Sequence, residues 1–218
     1  LPEVKGPTEK RLPFKIKLKW TLTILISFFV LRLIPLFGLD PQGNALKQFE
    51  FFSIILAADF GSLISLGIGP IVTASIVLQL LTGSGLLKLD TTTKEGRIYF
   101  QGLQKILTLF FILFEASIYV FMGGLAPPLS LAPAAFRIMQ LVLVAQLCLG
   151  GLLILYMDEV INKWGFGSGV SLFIAAGVSW RLITAAFQFV NQQGKNCLID
   201  FKNTPCSGKV LVLIQSII

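Results

Sequence analysis

The sequence predicts an all-α integral membrane protein, on three observations. Hydrophobic residues make up 55% of the chain, charged residues only 13%, and the mean hydropathy is +0.82. A soluble domain carries nearer a quarter charged residues. Second, apolar runs of membrane length recur between basic or Gly/Pro-containing connections. Third, one of these crossings is broken in the middle. The net charge of +7 does not indicate a nucleic-acid partner, because the basic residues sit mostly at helix ends and in the N-terminal tail, as membrane topology demands.

The elements follow in order. Residues 1–19 read as a cytosolic basic tail, and no cleavable signal peptide is evident behind it. Within the tail Leu12, Phe14, Ile16 and Leu18 alternate with Lys15, Lys17 and Lys19. That alternation would form one stripe on an extended strand but not on a helix, and suits a membrane-surface segment. The first crossing is expected over Trp20–Phe37. The second consists of two short pieces: Phe51–Ala58 between Glu50 and Asp59, then Ile68–Leu81. From Pro70 to Leu81, at about 1.5 Å per residue, a helix covers well under the ~30 Å of hydrocarbon. Gly67 and Gly69 break the helix before it, and Pro70 suits a first turn. Broken backbone at membrane depth survives only where protein or a water-filled cavity surrounds it, so this crossing points to a pathway. Three more crossings are expected over Leu103–Leu125, Phe136–Val160 and Gly169–Val190. An external loop over 191–209 and the start of a sixth helix over 210–218 complete the chain. Beginning at Leu1 and stopping within an apolar run, the chain reads as a fragment of a longer protein.

Orientation follows from Lys and Arg. Lys5, Lys10, Arg11, Lys15, Lys17 and Lys19 precede the first crossing; Lys88, Lys94, Arg97, Lys105 and Lys163 lie on the same side. Lys47, Lys195, Lys202 and Lys209 lie on the other, which favours a cytoplasmic N-terminus. Arg32 and Arg181 are expected mainly to snorkel near the outer boundary, with Trp180 as an interface anchor. Glu115 is the only acid in the middle of a crossing; such a charge costs on the order of 3 kcal/mol, so it should face a cavity or a partner. The alternative is a protonated Glu115 hydrogen-bonded among the helices. Cys148 reads as a small buried hydrophobe. Cys197 and Cys206 share the external loop, where oxidation is permitted; a disulfide and two free thiols are both open.

The chain has no histidine, which removes the usual metal ligand and near-neutral acid–base group. No phosphate loop or nucleophile–base pair stands out, so neither catalysis, a metal nor a cofactor is expected.

The run Gly67-Ile-Gly-Pro-Ile-Val-Thr73, continued by Gln79-Leu-Leu81 and Gly83-Ser-Gly85, resembles the second helix of the SecY family. Gly165-Phe-Gly-Ser-Gly169 followed by Val170-Ser-Leu-Phe-Ile-Ala-Ala-Gly-Val178 is similar to the start of its fifth helix. Gln101-Gly-Leu-Gln-Lys105 resembles the beginning of its third, and Asp158-Glu159 stand where the family has acids. The pattern is most similar to the archaeal and eukaryotic branch. This resemblance implies the N-terminal half of a ten-helix inverted-repeat clam-shell, the pore subunit of a protein-conducting channel. It implies a pore ring of Ile68, Val72, Val170 and Ile174, completed by the other half. It implies a plug of Phe51, Phe52, Ser53, Ile54, Ile55, Leu56, Ala57 and Ala58, and lateral-gate positions at Thr73 and Glu115. The implied partners are small membrane subunits of the SecE/gamma and beta kinds, and unfolded or nascent polypeptide bearing a signal sequence. A ribosome or SecA-type motor would dock through the absent half.

The chemistry of the residues fits that reading. A channel for unfolded polypeptide cannot rely on a specific site, because its substrate presents every side chain. It needs an aqueous funnel with a narrow apolar collar that closes by dewetting. Ile68 and Val72 are spaced i, i+4 on one helix face, as are Val170 and Ile174. The alternative is a secondary transporter, which also uses discontinuous helices at the midplane. It would need convergent polar groups, and little beyond Glu115 is on offer.

Overall fold

A computed structural model describes residues 4, 6, 13–39, 59, 61–87, 93–128 and 132–186. Five helices form among them: α1 Phe14–Leu33, α2 Gly69–Gly83, α3 Lys94–Phe121, α4 Pro133–Trp164 and α5 Gly169–Ala186. No strand forms among the described residues; one isolated antiparallel bridge pairs Pro35 with Ser62. α3, α4 and α5 are long and apolar enough to cross a membrane. α2 has 15 residues and so extends about 22 Å, a partial crossing.

α4 is the central post. It contacts α1, α3 and α5, while α2 packs on α3. Small residues let the neighbours come close, as is usual between helices in lipid. A Cβ on Gly151 would stand 3.0 Å from Ile112 on α3. Two apolar clusters result. One gathers Phe28, Ile64, Ile68, Ile71, Ile154, Met157, Ile161 and Phe173; the other holds Leu36, Leu66, Ile112, Ala116, Val120, Leu125, Leu143 and Leu147. Cys148 is half-buried beside the second cluster.

Several helix ends differ from the sequence expectation, for local reasons. α1 begins at Phe14, within the expected tail, because Pro13 sits at its N-cap and its carbonyl accepts from the Ile16 and Lys17 amides at 3.0 and 3.3 Å. Aromatic contacts then hold the polar start against the α4–α5 connection: Phe14 lies 5.2 Å from Phe166, and Trp20 lies 5.7 Å from Trp164. α3 begins at Lys94 rather than Leu103, because the Thr93 hydroxyl caps it, accepting from the Gly96 amide at 3.1 Å. Hydropathy missed these polar first turns. The expected plug at Phe51–Ala58, the external loop with Cys197 and Cys206, and the sixth helix lie outside the described residues.

Candidate functional site: a collar beside a broken helix

The break in the second crossing is a buried turn whose polar groups satisfy one another. Gly61 and Gly67 take left-handed φ of 98° and 57°, which glycine adopts without strain. The Asp59 carbonyl accepts from the Ser62 amide at 3.0 Å, the Ser62 hydroxyl at 2.7 Å and the Ser65 hydroxyl at 3.3 Å. The Ser65 hydroxyl accepts from the Gly61 amide at 3.0 Å. The turn also pairs with the chain after α1, since Leu36 N donates to Gly61 O and Leu63 N to Ile34 O, both at 2.9 Å. It presses directly on α4: a Cβ on Gly150 would collide with the Leu63 carbonyl oxygen. Irregular backbone is therefore wrapped in protein and hydrogen-bonded, the condition under which it persists in a membrane.

Ile68 closes this turn at the N-cap of α2 and is fully buried. Val72, Val170 and Ile174 are half-buried and pack against the same apolar cluster that contains Ile68. The four residues expected at the ring, from two helices a hundred positions apart, thus share one cluster. α5 is aimed by its first turn. The Asp158 carboxylate accepts from the Val170 amide at 2.9 Å and from Asn162 Nδ2 at 3.0 Å. The glycines of the Gly165–Gly169 run serve this join. A Cβ on Gly169 would meet the Asp158 carboxylate at 2.6 Å, one on Gly165 would meet Ile161 O and Thr21 Oγ1, and Gly167 has φ of 81°.

The adjacent Glu159, 8% exposed, accepts from Lys105 on α3 at 2.9 Å and from Lys163 at 2.8 Å. The Val4 amide also donates to Glu159 at 3.3 Å, and Lys163 donates to the Val4 carbonyl at 2.6 Å. A cleft of about 660 Å³ opens here, with Gln101, Gln104, Lys105, Asp158 and Glu159 on its walls. Among the described residues no group of three His, Cys, Asp or Glu could hold a metal ion.

Thr73 and Glu115 do meet. The Thr73 hydroxyl donates to its own helix at Gly69 O, 2.9 Å, and approaches Glu115 Oε1 at 3.4 Å. A second link in this α2–α3 seam was not foreseen: Gln104 Nε2 donates to Ser75 Oγ at 2.6 Å. Its signal was present as polar residues inside apolar windows. Arg32 departs from its expected role. Instead of reaching outward it pairs with Asp59, Nε to Oδ2 at 2.7 Å, with only 9% of its side chain exposed. Its guanidinium also lies 5.8 Å from the centre of the Trp180 ring. A charge-assisted bond to the partly exposed Asp59 carboxylate holds the guanidinium inward.

Comparison with known proteins agrees with this architecture. The SecY family model matches residues 62–218, and a model of the plug domain of Sec61p matches residues 26–61. The protein translocase subunit SecY of Methanothermobacter thermautotrophicus is 54% identical over 187 residues, covering 86% of this chain and 39% of that protein. That of Archaeoglobus fulgidus is 43% identical over 193 residues, covering 87% and 38%. A solved protein-conducting channel superposes with a TM-score of 0.73 at 37% identity, over 86% of this chain and 41% of that one. Sec61 from a canine ribosome–channel complex gives the same values. The chain spans about two-fifths of the length of these relatives. With the turn before α2 and the glycine-built join to α5 in place, and the SecY model matching residues 62–218, the chain belongs to the SecY family.

Proposed function

We propose that this chain is the N-terminal half of the pore subunit of a protein-conducting channel, passing secretory polypeptides across the membrane and releasing membrane segments sideways into it. The observation that carries the reading is the broken crossing: a self-satisfied turn delivers Ile68 and Val72 to the apolar cluster that Val170 and Ile174 approach from α5. Such a collar seals by expelling water and yields to a chain of any sequence, because it offers no specific bond. The relatives named as protein translocase subunits support the reading.

In the resting channel Phe51–Ala58 would lie just external to the ring as the plug, with the N-terminus, residues 82–102 and 161–168 cytoplasmic. Thr73 and Glu115 would belong to the lateral gate. Small membrane subunits of the SecE/gamma and beta kinds would complete the assembly. The driving force would come from a ribosome, as the canine Sec61 complex suggests, or from a SecA-type motor. The channel itself would be passive. Cys197 and Cys206 would close a short external loop as a disulfide contributing about 2–3 kcal/mol in the chain-entropy model. Alkylation of both thiols in the unreduced, denatured protein would count against the bond.

The test is reconstitution of the full-length protein with its small partners in vesicles. Preprotein should cross, and Ile68→Gly with Val72→Ser should make the resting channel leak ions and accept poor signal sequences. Uptake of small solutes without polypeptide passage would overturn the reading. An ion-tight ring variant that is folded and inserted would remove these residues from the collar.

A further inference from the structure

The two walls of the collar reach this half of the channel by separate routes. Ile68 and Val72 hang from the turn that begins at Asp59, and Val170 and Ile174 come from α5. One side chain touches both routes. Arg32, at the last turn of α1, donates from Nε to Asp59 Oδ2 at 2.7 Å. The same guanidinium lies 5.8 Å from the centre of the Trp180 ring of α5. Trp180 in turn lies 5.5 Å from Phe29, one helical turn before Arg32. Each contact has a physical basis. A charge-assisted hydrogen bond to a carboxylate is shorter and stronger than a neutral one. A guanidinium near an indole ring is attracted to its quadrupole. A cation at a helix C-terminus also complements the helix dipole.

Asp59 is well placed to transmit this hold. Its carbonyl is the acceptor on which the Ser62 amide and the Ser62 and Ser65 hydroxyls converge. Its amide donates to Ile64 O at 3.4 Å, so the residue whose carboxylate Arg32 grips is also the one on which the turn is built. From Ile64 the turn runs on through Gly67 N to Ile64 O, 2.9 Å, to Ile68 itself.

We propose that Arg32 is a positioning residue for the collar: through Asp59 and Trp180 it sets the spacing between the Ile68–Val72 wall and the Val170–Ile174 wall. The inference rests on the collar reading above and adds to it a residue remote from the ring. Arg32 touches neither substrate nor ring. Losing its charge frees the turn from α5, so the walls sample wider spacings and the dewetted state is less populated.

The test uses full-length channels with their small partners in planar bilayers, read as resting ion conductance per inserted channel. Arg32→Gln and Asp59→Asn should each raise resting conductance by about tenfold. The double variant should leak no more than the leakier single one, because both act through one contact. Arg32→Lys, which keeps the charge but not the planar fork, should recover part of the seal. Trp180→Leu should leak less than Arg32→Gln. A merely structural role would lower thermal stability and leave conductance unchanged in inserted channels; that result, or additive leaks in the double variant, overturns the proposal. Should Arg32→Gln fail to insert, Asp59→Asn and Trp180→Leu carry the same comparison. Ile68→Gly in parallel separates the two readings. If it leaks while Arg32→Gln and Asp59→Asn stay tight, the collar stands and the positioning role falls; if it stays tight, the collar reading falls.

Discussion

The two interfaces that flank the cluster of Ile68, Val72, Val170 and Ile174 are built from opposite materials. On the α1–α5 side the contacts are aromatic: Phe28 stacks on Phe173 at 4.8 Å with planes 22° apart, and Phe29 lies 5.5 Å from Trp180. Phe28 and Phe173 are fully buried. On the α2–α3 side polar bonds mark the seam: Ser75 to Gln104 at 2.6 Å, and Thr73 beside Glu115 at 3.4 Å. Water cannot replace a buried ring stack without exposing its area, whereas it can replace a hydroxyl–amide bond at little net loss. The aromatic side is therefore a dry frame, and the polar side can remain intact next to an aqueous path. Two seams of one bundle thus differ in how each would respond to water.

The largest effect should come from the point where both sides lean on α4. Gly150→Ala drives a Cβ into the Leu63 carbonyl oxygen. Backbone must move, and the turn carrying Ile68 moves with it. We expect a loss of about 3 kcal/mol or more, visible as a lower thermal midpoint of the purified full-length protein. Gly102→Ala is the control. A Cβ there meets nothing within 4 Å, and helix propensity favours alanine by up to about 1 kcal/mol. Equal behaviour of the two variants would remove the close approach as an explanation.

Next in size is the dry frame. Phe28→Ala should cost about 3 kcal/mol, the lower end for a buried Phe to Ala change. The loss should persist across ionic strengths, because no charge is involved. A thermal midpoint within a degree or two of wild type would mean that the α1–α5 stack does not hold the bundle.

How far the sequence revealed this contrast depended on which interactions leave a local trace. Crossings register as apolar runs, so α4 and α5 were legible nearly to their ends. The start of α3 was not, because Lys94, Glu95 and Arg97 depress hydropathy while Thr93 supplies a cap. The alternating apolar and basic residues before Trp20 suggested an extended tail. Tertiary contacts from Phe14 and Trp20 make it helical instead. Gly67 and Gly69 marked a break before α2, and the turn lies there; Gly165, Gly167 and Gly169 registered only as a family motif, without the close packing of the α4–α5 join that they serve. Arg32–Asp59 was invisible, since a pair separated by 27 positions leaves no periodic signal. Ser75–Gln104 left a weak one, polar side chains in apolar windows, without saying that they meet.

On the polar side, Glu115→Leu removes the carboxylate that Thr73 approaches. If Glu115 belongs to the gate, the hydrophobicity a signal sequence needs for opening should shift. The direction depends on whether closed packing or signal docking loses more. The measurement is translocation of a graded series of signals at equal channel level. An unchanged threshold would place Glu115 in the bundle alone. Stability should change by less than for Phe28→Ala, since the Thr73 hydroxyl keeps its 2.9 Å bond to Gly69 O.

The smallest effect should belong to Ser75→Ala. It leaves the Gln104 amide without the 2.6 Å bond but beside a cleft that Gln104 itself lines. Water can reach the amide there, so the cost should be near the net value of one hydrogen bond, about 1 kcal/mol, rather than that of a buried unsatisfied donor. Gln104→Leu sharpens the point. It removes the donor and places apolar bulk on the cleft wall, while the Ser75 hydroxyl still donates to Ile71 O at 2.8 Å. A seam that is wet should lose less on Ser75→Ala than on Gln104→Leu, where apolar surface meets water. A seam that is dry should show the reverse, because only Ser75→Ala would strand a buried donor. Thermal midpoints of the two variants, measured side by side, decide which material the α2–α3 interface is made of.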